Sequence, residues 1–236
     1  RRSRRQAGVV VTSTSKAEAA ADPTRPQRTR RDTEWPESVL AVVAHSDDAE
    51  LWAGGTLARH AQNGVAVTIA VASHGPQRDT EAAAGGKILG AQVHMLPELT
   101  AATVGDLLHR LRPEVVIAHA LTDVHPDHRN ASHAVLDALP DVVIGTGRPR
   151  RLYSCETYNG LTLDGVTQPR IIIDVSDTFA TKMLALQAHR SQPIAEHFGP
   201  MAKNLARLWG ARIGTAYAEA FTPLPVLGRL PATPHL

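Results

Sequence analysis

Two short clusters of histidine and aspartate contain the residue types that could do chemistry in this sequence. The first is the HSDD segment at 45–48, and the second is the HPDH segment at 125–128. Imidazole nitrogen and carboxylate oxygen are zinc ligands, and a catalytic zinc site has three protein ligands and one open position. Because the chain has a single cysteine, Cys155, a cysteine-rich zinc site is excluded and any metal ion must use histidine and carboxylate.

The spacing within the clusters selects three candidate ligands. His45 and Asp48 are three residues apart, so both can face one ion across a tight turn, and His128 would complete the set. A bound divalent ion acidifies a water molecule and polarises a substrate carbonyl, which indicates hydrolysis. The alternative is that the aspartates are ordinary helix caps and that the HPDH segment is an ordinary turn. Spacing alone leaves both interpretations open.

Hydrolysis also needs groups that move protons and stabilise developing charge. Asp47 is adjacent to a candidate ligand, and we predict that it accepts the proton of the attacking water and delivers it to the leaving amine. We predict that His125 stabilises the oxyanion of the tetrahedral intermediate. Asp127 would orient His125 as a hydrogen-bond acceptor.

Both clusters follow apolar segments that have the character of buried strands. Runs rich in valine and isoleucine, without the alternation of a half-exposed strand, predict strands that are covered on both faces. Helical spacing of apolar residues between these runs predicts crossover helices. The predicted strands are 39–44, 65–72, 92–96, 115–120, 152–156 and 170–175. The predicted helices are 50–63, 79–89, 104–111, 129–138, 178–189 and 200–208.

This alternation predicts an α/β fold with a mostly parallel sheet flanked by helices, in a single domain at 35–236. In such sheets, ligands bind at the carboxyl ends of the strands, which is where both clusters lie. No G-x-G-x-x-G follows the first strand, and the Asp47-Asp48 pair would repel a pyrophosphate. We therefore expect no dinucleotide cofactor.

Residues 1–34 differ in composition from the rest of the chain. They contain nine Lys/Arg against four Asp/Glu and lack aromatic residues, so we predict a disordered basic tail. A specific nucleic-acid site would combine basic residues with interleaved aromatics and a continuing basic surface. Neither is present here, so no specific nucleic-acid partner is expected.

The sequence also bears on the compartment. The arginine pair at the start is followed by only a short apolar run, 7–11, which is too short for an export signal. No stretch approaches the run of about 18 apolar residues that a membrane span needs. With the single cysteine, which agrees with a reducing compartment, these features predict a cytoplasmic protein without a membrane span.

The two clusters also resemble the motifs of a known family. Residues 44–51 (AHSDDAEL), followed by 54–57 (GGTL), are similar to the Ala-His-Pro-Asp-Asp-Glu signature of the LmbE-like, or PIG-L, N-acetylglucosaminyl deacetylases. The HPDH segment resembles the second motif of that family. The resemblance extends over about 38–225, through further segments at 78–81, 89–90, 173–176, 182, 189–192 and 218–221.

The resemblance implies a Rossmann-like fold and zinc-dependent removal of an N-acyl group, usually N-acetyl, from an amino sugar or a glycoside that contains one. Fe²⁺ is the alternative ion in the cell. By position, it implies the same roles as the residues themselves: ligands His45, Asp48 and His128, general base Asp47, and oxyanion-stabilising His125. The candidate substrate contacts are Arg78, Glu98, His189 and Gln192.

The chain departs from the family pattern beside the site. Ser46 replaces the usual proline, Ala49 replaces the usual glutamate, and Glu98 stands where the family often has an aspartate. None of the three is a predicted ligand or base. The acyl group and the sugar therefore stay open, and so does an amidase acting on a larger acyl or thiol-conjugate amide. A non-catalytic binding protein of the same fold, and a homo-oligomer, are further alternatives.

Overall fold

The computed structural model describes residues 35–231. The predicted basic tail, 1–34, lies outside these residues. The described part contains six α-helices and nine strands, which alternate from β1 to β5. The strands are β1 Ser38–Val43, β2 Ala66–Ala72, β3 Gln92–Leu96, β4 Val115–Ala118, β5 Arg151–Ser154, β6 Leu161–Thr162, β7 Gly165–Val166, β8 Ile171–Asp174 and β9 Ala218–Leu224. The helices are α1 Asp48–Gln62, α2 Pro76–Leu89, α3 Ala101–Leu111, α4 Pro126–Thr146, α5 Phe179–Leu186 and α6 Gly199–Ile213.

Seven of the strands form one sheet in the order β3-β2-β1-β4-β5-β9-β8. The first five are parallel to one another, whereas β9 runs antiparallel to both β5 and β8. The remaining two strands, β6 and β7, form a separate hairpin. The fold is therefore a mostly parallel, Rossmann-like α/β sheet, which confirms the predicted class.

The core lies in two layers, one on each face of the sheet. One face of β1, represented by Val39, Ala41 and Val43, packs in a cluster with residues of α1, α2, α5 and α6. The other face, represented by Leu40 and Val42, packs against α3 and α4. Burial on both faces is the physical reason why the strand sequences are continuously apolar.

The β6–β7 hairpin, strand β9 and the full length of helix α4 were not predicted from the sequence. Strand β9 contains the buried Glu219 and also Pro223, which obscure the apolar pattern of a strand. Helix α4 continues past its predicted end through Pro140. Proline removes one helical hydrogen bond, but Leu139 and Val142 on either side of it are buried in the core and hold the helix together.

The helices of the described residues include no candidate membrane span. None of those within 35–231 has both the length and the apolarity that crossing a bilayer requires.

Candidate active site and metal centre

Both polar clusters lie at the point where the strand order reverses. The chain runs from β1 outward to β2 and β3, and then returns to place β4 on the other side of β1. The first cluster joins β1 to α1, and the second immediately precedes and begins α4. Ligands of open α/β sheets bind in the crevice that this reversal creates at the carboxyl ends of the strands.

The three predicted metal ligands converge on one point. Nδ1 of His45 lies 3.1 Å from Oδ2 of Asp48 and 3.2 Å from Nε2 of His128. The same two atoms of Asp48 and His128 are 3.3 Å apart. We call these three atoms the ligand triangle.

The dimensions of the ligand triangle fit a small tetrahedral cation. Two ligand atoms that each lie about 2.0–2.1 Å from a tetrahedral zinc ion are separated by about 3.3–3.4 Å. All three sides of the triangle are within about 0.3 Å of that separation. Three protein ligands leave a fourth position open, as in catalytic rather than structural zinc sites.

A fourth residue, His119, is close enough to Asp48 and His128 to enter a metal group. Its Nε2 lies 3.3 Å from Asp48 Oδ2, but the same nitrogen accepts a hydrogen bond from the backbone N–H of Ala44 at 3.0 Å. Because that bond occupies the lone pair of Nε2, His119 is a poorer ligand than His45. Its ring stacks on His128 at 3.9 Å between ring centroids and supports that ligand.

Two further side chains hold the ligands in place, and sequence reasoning gave neither of them this role. Trp52 Nε1–H donates to Asp48 Oδ1 at 3.1 Å, and the fully buried Asp123 lies with its Oδ2 3.0 Å from His128 Nδ1. A carboxylate on the far nitrogen of a ligating histidine fixes its tautomer and raises its basicity. The spacing of Trp52, four residues after Asp48 on a helix, was the available signal for the first contact.

The ionisable ligands influence each other strongly. Burial alone would raise the pKa of Asp48, but the neighbouring histidines His119, His128 and His45 hold it well below its usual range. For His128, burial acts to lower the pKa, but the contacts with Asp123 and Asp48 raise it to about 9. This concentration of acceptor atoms around one point favours a positive charge there.

Asp47 is placed as the sequence predicts, next to the triangle but outside it. It is 5% exposed, and its Oδ1 lies 3.2 Å from Arg78 Nη2. Burial, together with the charge of Asp48, raises the pKa of the Asp47 carboxyl, against smaller opposing effects of His189 and Arg78. A raised pKa brings a carboxylate closer to the value that suits a general base.

His125 lines the cavity beside the triangle, and the hydrogen-bonding role of one of its ring nitrogens is fixed. Its Nδ1 accepts a hydrogen bond from the backbone N–H of Asp127 at 3.2 Å, so in the neutral ring the proton is on Nε2. Burial and the charges of His128 and His45 lower the pKa of His125. A neutral ring with a fixed tautomer is a suitable hydrogen-bond donor to an oxyanion.

Asp127 lies nearer to His45 than to the residue it was predicted to orient. Its Oδ2 is 3.4 Å from His45 Nε2 and 3.9 Å from His125 Nδ1. Its side chain is 59% exposed. The Asp127 residue orients His125 through its backbone N–H, and the orienting role of its carboxylate stays a prediction.

The triangle opens into a cavity of about 210 Å³. Tyr158 forms one wall, with its ring stacked on His128 at 5.6 Å and in edge contact with Trp52 at 5.0 Å between ring centroids. The lining residues are His45, Asp47, Asp48, Leu51, Arg78, His125, Tyr158, Gln192 and Phe198. The cavity therefore combines the predicted chemical groups with an aromatic wall.

The four predicted substrate contacts are separated by the fold. Arg78 and Gln192 line the cavity. His189 is buried beside it, with Nε2 3.6 Å from Oε2 of the buried Glu50. Glu98 is exposed in the loop between β3 and α3 and does not line the cavity. Substrate contact by any of the four stays a prediction.

The two residues that depart from the family pattern in the first motif are buried. Ala49 is fully buried in the core, and Ser46 is 3% exposed. The carboxylate of Glu50, one position further along, is also buried, and it points toward His189 rather than into the ligand triangle.

The sequence of this chain is similar to those of known proteins. A family model described as PIG-L, GlcNAc-PI de-N-acetylase, matches residues 40–96, which include the first cluster. A diacetylchitobiose deacetylase of Thermococcus kodakarensis is 23% identical over 80% of this chain and 84% of its own length. A 1D-myo-inositol 2-acetamido-2-deoxy-alpha-D-glucopyranoside deacetylase of Saccharopolyspora erythraea is 27% identical over 66% of this chain and 78% of its own length.

The comparisons also include a protein named for another reaction and a solved structure. A 4-oxalmesaconate hydratase of Pseudomonas putida is 30% identical over 47% of this chain and 55% of its own length. The crystal structure of a conserved Thermus thermophilus protein superposes with a TM-score of 0.68 at 27% identity, and covers 81% of this chain and 95% of that one. Sequence similarity thus extends to a protein that is named for different chemistry.

Proposed function

We propose that this chain is a member of the PIG-L, or LmbE-like, family. It would be a metal-dependent hydrolase that removes an N-acyl group, in particular N-acetyl, from an amino sugar or an amino-sugar conjugate. The observation that carries the proposal is the ligand triangle, with sides of 3.1–3.3 Å and with the buried carboxylate of Asp47 beside it. The names of the deacetylase relatives support an amide as the bond that is cleaved and an amino sugar as part of the substrate.

We propose zinc as the ion, held by His45, Asp48 and His128. The two imidazoles and one carboxylate are ligands that zinc accepts, and the size of the triangle suits its short bonds. Fe²⁺ accepts similar ligands and is the alternative in the cell. When bound, such an ion supplies a Lewis acid for the carbonyl and a water molecule of lowered pKa.

Other residues of the chain would transfer protons and stabilise the charge that develops on the substrate. Asp47, with its raised pKa, accepts the proton of the attacking water and returns it to the leaving amine, whose departure requires protonation. His125 donates its Nε2–H to the oxyanion that forms from the carbonyl. Arg78 lies 3.2 Å from Asp47 and limits the rotation of that carboxylate.

The size of the cavity favours a short acyl group. Pockets that enclose a drug-sized ligand have volumes of roughly 300–1,000 Å³, whereas the cavity at the triangle has about 210 Å³. The aromatic side chains of Tyr158 and Phe198, whose ring centroids are 6.4 Å apart, line it. An N-acetyl group fits this geometry better than the long acyl group of the amidase alternative.

The test is acetate release by purified protein reconstituted with Zn²⁺, over a panel of N-acetylated amino sugars, longer-chain N-acyl analogues and thiol-conjugate amides. We expect about one zinc ion per chain and turnover of the N-acetyl compounds. Asp47→Asn should retain the metal and lower kcat/KM by roughly 10²–10⁴-fold, because it removes the proton carrier. Asp106→Asn, at an exposed aspartate of α3, is the matched control and should be unchanged.

Three results would contradict the proposal. Zinc-loaded protein that hydrolyses no amide in the panel would favour the non-catalytic alternative. Hydration of 4-oxalmesaconate without amide hydrolysis would place the chain with its hydratase relative. Full activity of Asp47→Asn would remove that residue from the proton transfer.

Three further properties remain part of the proposal. We infer cytoplasmic residence, which the single buried thiol of Cys155 supports, and cell fractionation tests it. We also infer that 35–236 is the catalytic domain and that 1–34 is dispensable for turnover, which an N-terminal truncation tests. Size-exclusion chromatography with light scattering decides between a monomer and a homo-oligomer.

A further inference from the structure

A second cavity adjoins the pocket that holds the ligand triangle. Its volume is about 630 Å³, three times that of the first. Gln192 lines both cavities, and the π-helix Ile194–Phe198 separates them, because Phe198 lines the first and Ile194 lines the second. π-Helical turns occur frequently at functional sites. We propose that this second cavity binds an anionic group, phosphate or carboxylate, in the part of the substrate that is attached to the amino sugar.

The walls of the second cavity carry an excess of positive charge. Arg190, Lys203 and Arg207 line it, against one carboxylate, that of Glu196. Within residues 35–231, none of the three cations has an ion-pair partner. Guanidinium and ammonium groups are the donors that proteins use for phosphate and carboxylate.

The positive charge lies on one face of a helix. Lys203 and Arg207 are four residues apart on α6, and Gly199, Pro200 and Asn204 complete the same face of the cavity wall. Like charges at this spacing repel each other and destabilise a helix. A bound anion between them would offset that repulsion.

A buried polar group at the boundary provides an independent indication of a ligand. His189 lines the second cavity and is 1% exposed. Its Nδ1 has no hydrogen-bond partner in the described part of the chain, and its Nε2 is 3.6 Å from Glu50. Buried nitrogen atoms are nearly always hydrogen-bonded in folded proteins, to protein, water or ligand. A polar ligand or a water held by it would supply the partner.

Contiguity with the metal pocket identifies the occupant as part of the substrate. This step rests on the proposed function: the acyl group reacts at the ligand triangle, and a pocket of about 210 Å³ has room for the reacting sugar but not for a large substituent. The substituent would continue past Gln192 into the second cavity. Its anionic group would then face Arg190, Lys203 and Arg207.

Matched pairs of substrates test the inference. One pair is methyl N-acetylglucosaminide and N-acetylglucosamine 1-phosphate, and the other is benzyl and 4-carboxybenzyl N-acetylglucosaminide. We expect kcat/KM to be about tenfold higher for the anionic member of at least one pair, as charge-assisted hydrogen bonds from two side chains would give. The preference should decrease at 0.5 M NaCl because the cations are exposed. The pair that shows it distinguishes phosphate from carboxylate.

The double variant Lys203→Ala/Arg207→Ala should abolish the preference and leave kcat/KM for the neutral substrates within about twofold, since neither residue touches the triangle. Arg110→Ala, at an exposed arginine of α3, is the control and should retain the preference. Equal kcat/KM for both members of both pairs would overturn the inference. So would an equal loss on neutral and anionic substrates in the double variant.

Calorimetric titration with the products separates this result from failure of the proposed function. Glucosamine 1-phosphate should bind about tenfold more tightly than methyl glucosaminide, and the double variant should remove the difference. Equal binding of the two overturns the inference even if acetate is released. A difference in binding without acetate release supports the cavity and contradicts the hydrolase.

Discussion

Helix α1 contacts two buried polar clusters, and their difference separates a functional site from a structural one. At its first turn, Asp48 faces His45 and His128 in the ligand triangle, where three ligand atoms converge on one point. In its middle, the carboxylate of Glu219 accepts hydrogen bonds from the backbone N–H groups of Gly55 and Thr56 at 2.9 and 2.8 Å. We call the second set, with Lys182 and Thr178, the Glu219 cluster.

The Glu219 cluster is balanced within itself. Lys182 Nζ lies 2.6 Å from Glu219 Oε1, and both side chains are almost fully buried. A buried charge is tolerated when it is paired and hydrogen-bonded. The triangle instead concentrates lone pairs that a cation would satisfy. A buried polar cluster with its charges compensated thus indicates structure, and one with convergent acceptors indicates a ligand.

The glycine pair of the first motif belongs to the Glu219 cluster. A Cβ on Gly55 would lie 2.7 Å from Val175 Cβ, and one on Gly54 would lie 3.1 Å from Lys182 Cγ. The two glycines therefore allow α1 to pack closely against Val175 and against Lys182 of α5. Their role is close packing, which agrees with the absence of a nucleotide-binding glycine pattern.

Lys182→Met should give the largest effect in the Glu219 cluster. Removing one member of a buried ion pair leaves the other charge uncompensated, at a cost of about 3–5 kcal/mol. We expect that loss in the free energy of unfolding, measured by urea titration, while the zinc content of the folded fraction stays at one per chain. Lys87→Met, at an exposed position of α2, is the control. If the Lys182 variant lost zinc at full stability, the two clusters would not be independent.

Asp123→Asn should give the next largest effect, in this case on the zinc affinity of the triangle. The substitution would retain the shape of the side chain but remove the negative charge opposite His128 Nδ1. We expect zinc affinity to decrease by about 10–100-fold, as for other partners of ligating histidines. The unfolding free energy of the metal-free protein should also decrease, because the contact with Asp123 helps to raise the pKa of His128 to about 9. Competition with a chromophoric chelator measures the affinity. Asp164→Asn, at an exposed position of the β6–β7 turn, is the control, and equal affinity in both variants would exclude the Asp123 role.

Thr178→Val should give the smallest effect. Thr178 Oγ1–H donates to the carbonyl of Gly55 at 2.7 Å, and its loss should cost about 0.5–1.5 kcal/mol of unfolding free energy. Zinc affinity should be unchanged. Thr80→Val removes a similar bond, to the carbonyl of Pro76 at 2.7 Å, from an exposed position, and should cost less in the same thermal or urea measurement. A larger loss for Thr80 would contradict the importance of burial in the Glu219 cluster.

The local pattern of the sequence was sufficient to predict the parallel half of the fold and to select the candidate ligands. Apolar runs identified β1, β2 and β4, because strands covered on both faces have few polar positions. Strands β3 and β5 were predicted from shorter apolar stretches that also contain polar residues. The candidate ligands were proposed because His45 and Asp48 share one turn, and because His128 follows a strand that had to be a neighbour of β1 in a parallel sheet. The antiparallel β9 was missed, since its buried Glu219 gains partners only from α1 and α5.

The sequence by itself therefore determined the fold class and the residue types of the candidate metal site, because hydrophobic periodicity and ligand chemistry act over short separations. Only the tertiary structure decided that Asp123 faces the far nitrogen of His128, that Trp52 holds Asp48, and that Glu98 lies away from the cavity. It also decided that the charges of Lys182 and Glu219 compensate each other, whereas the ligand triangle concentrates acceptor atoms. Those properties depend on the mutual orientation of side chains from separate elements, and packing between the elements fixes that orientation.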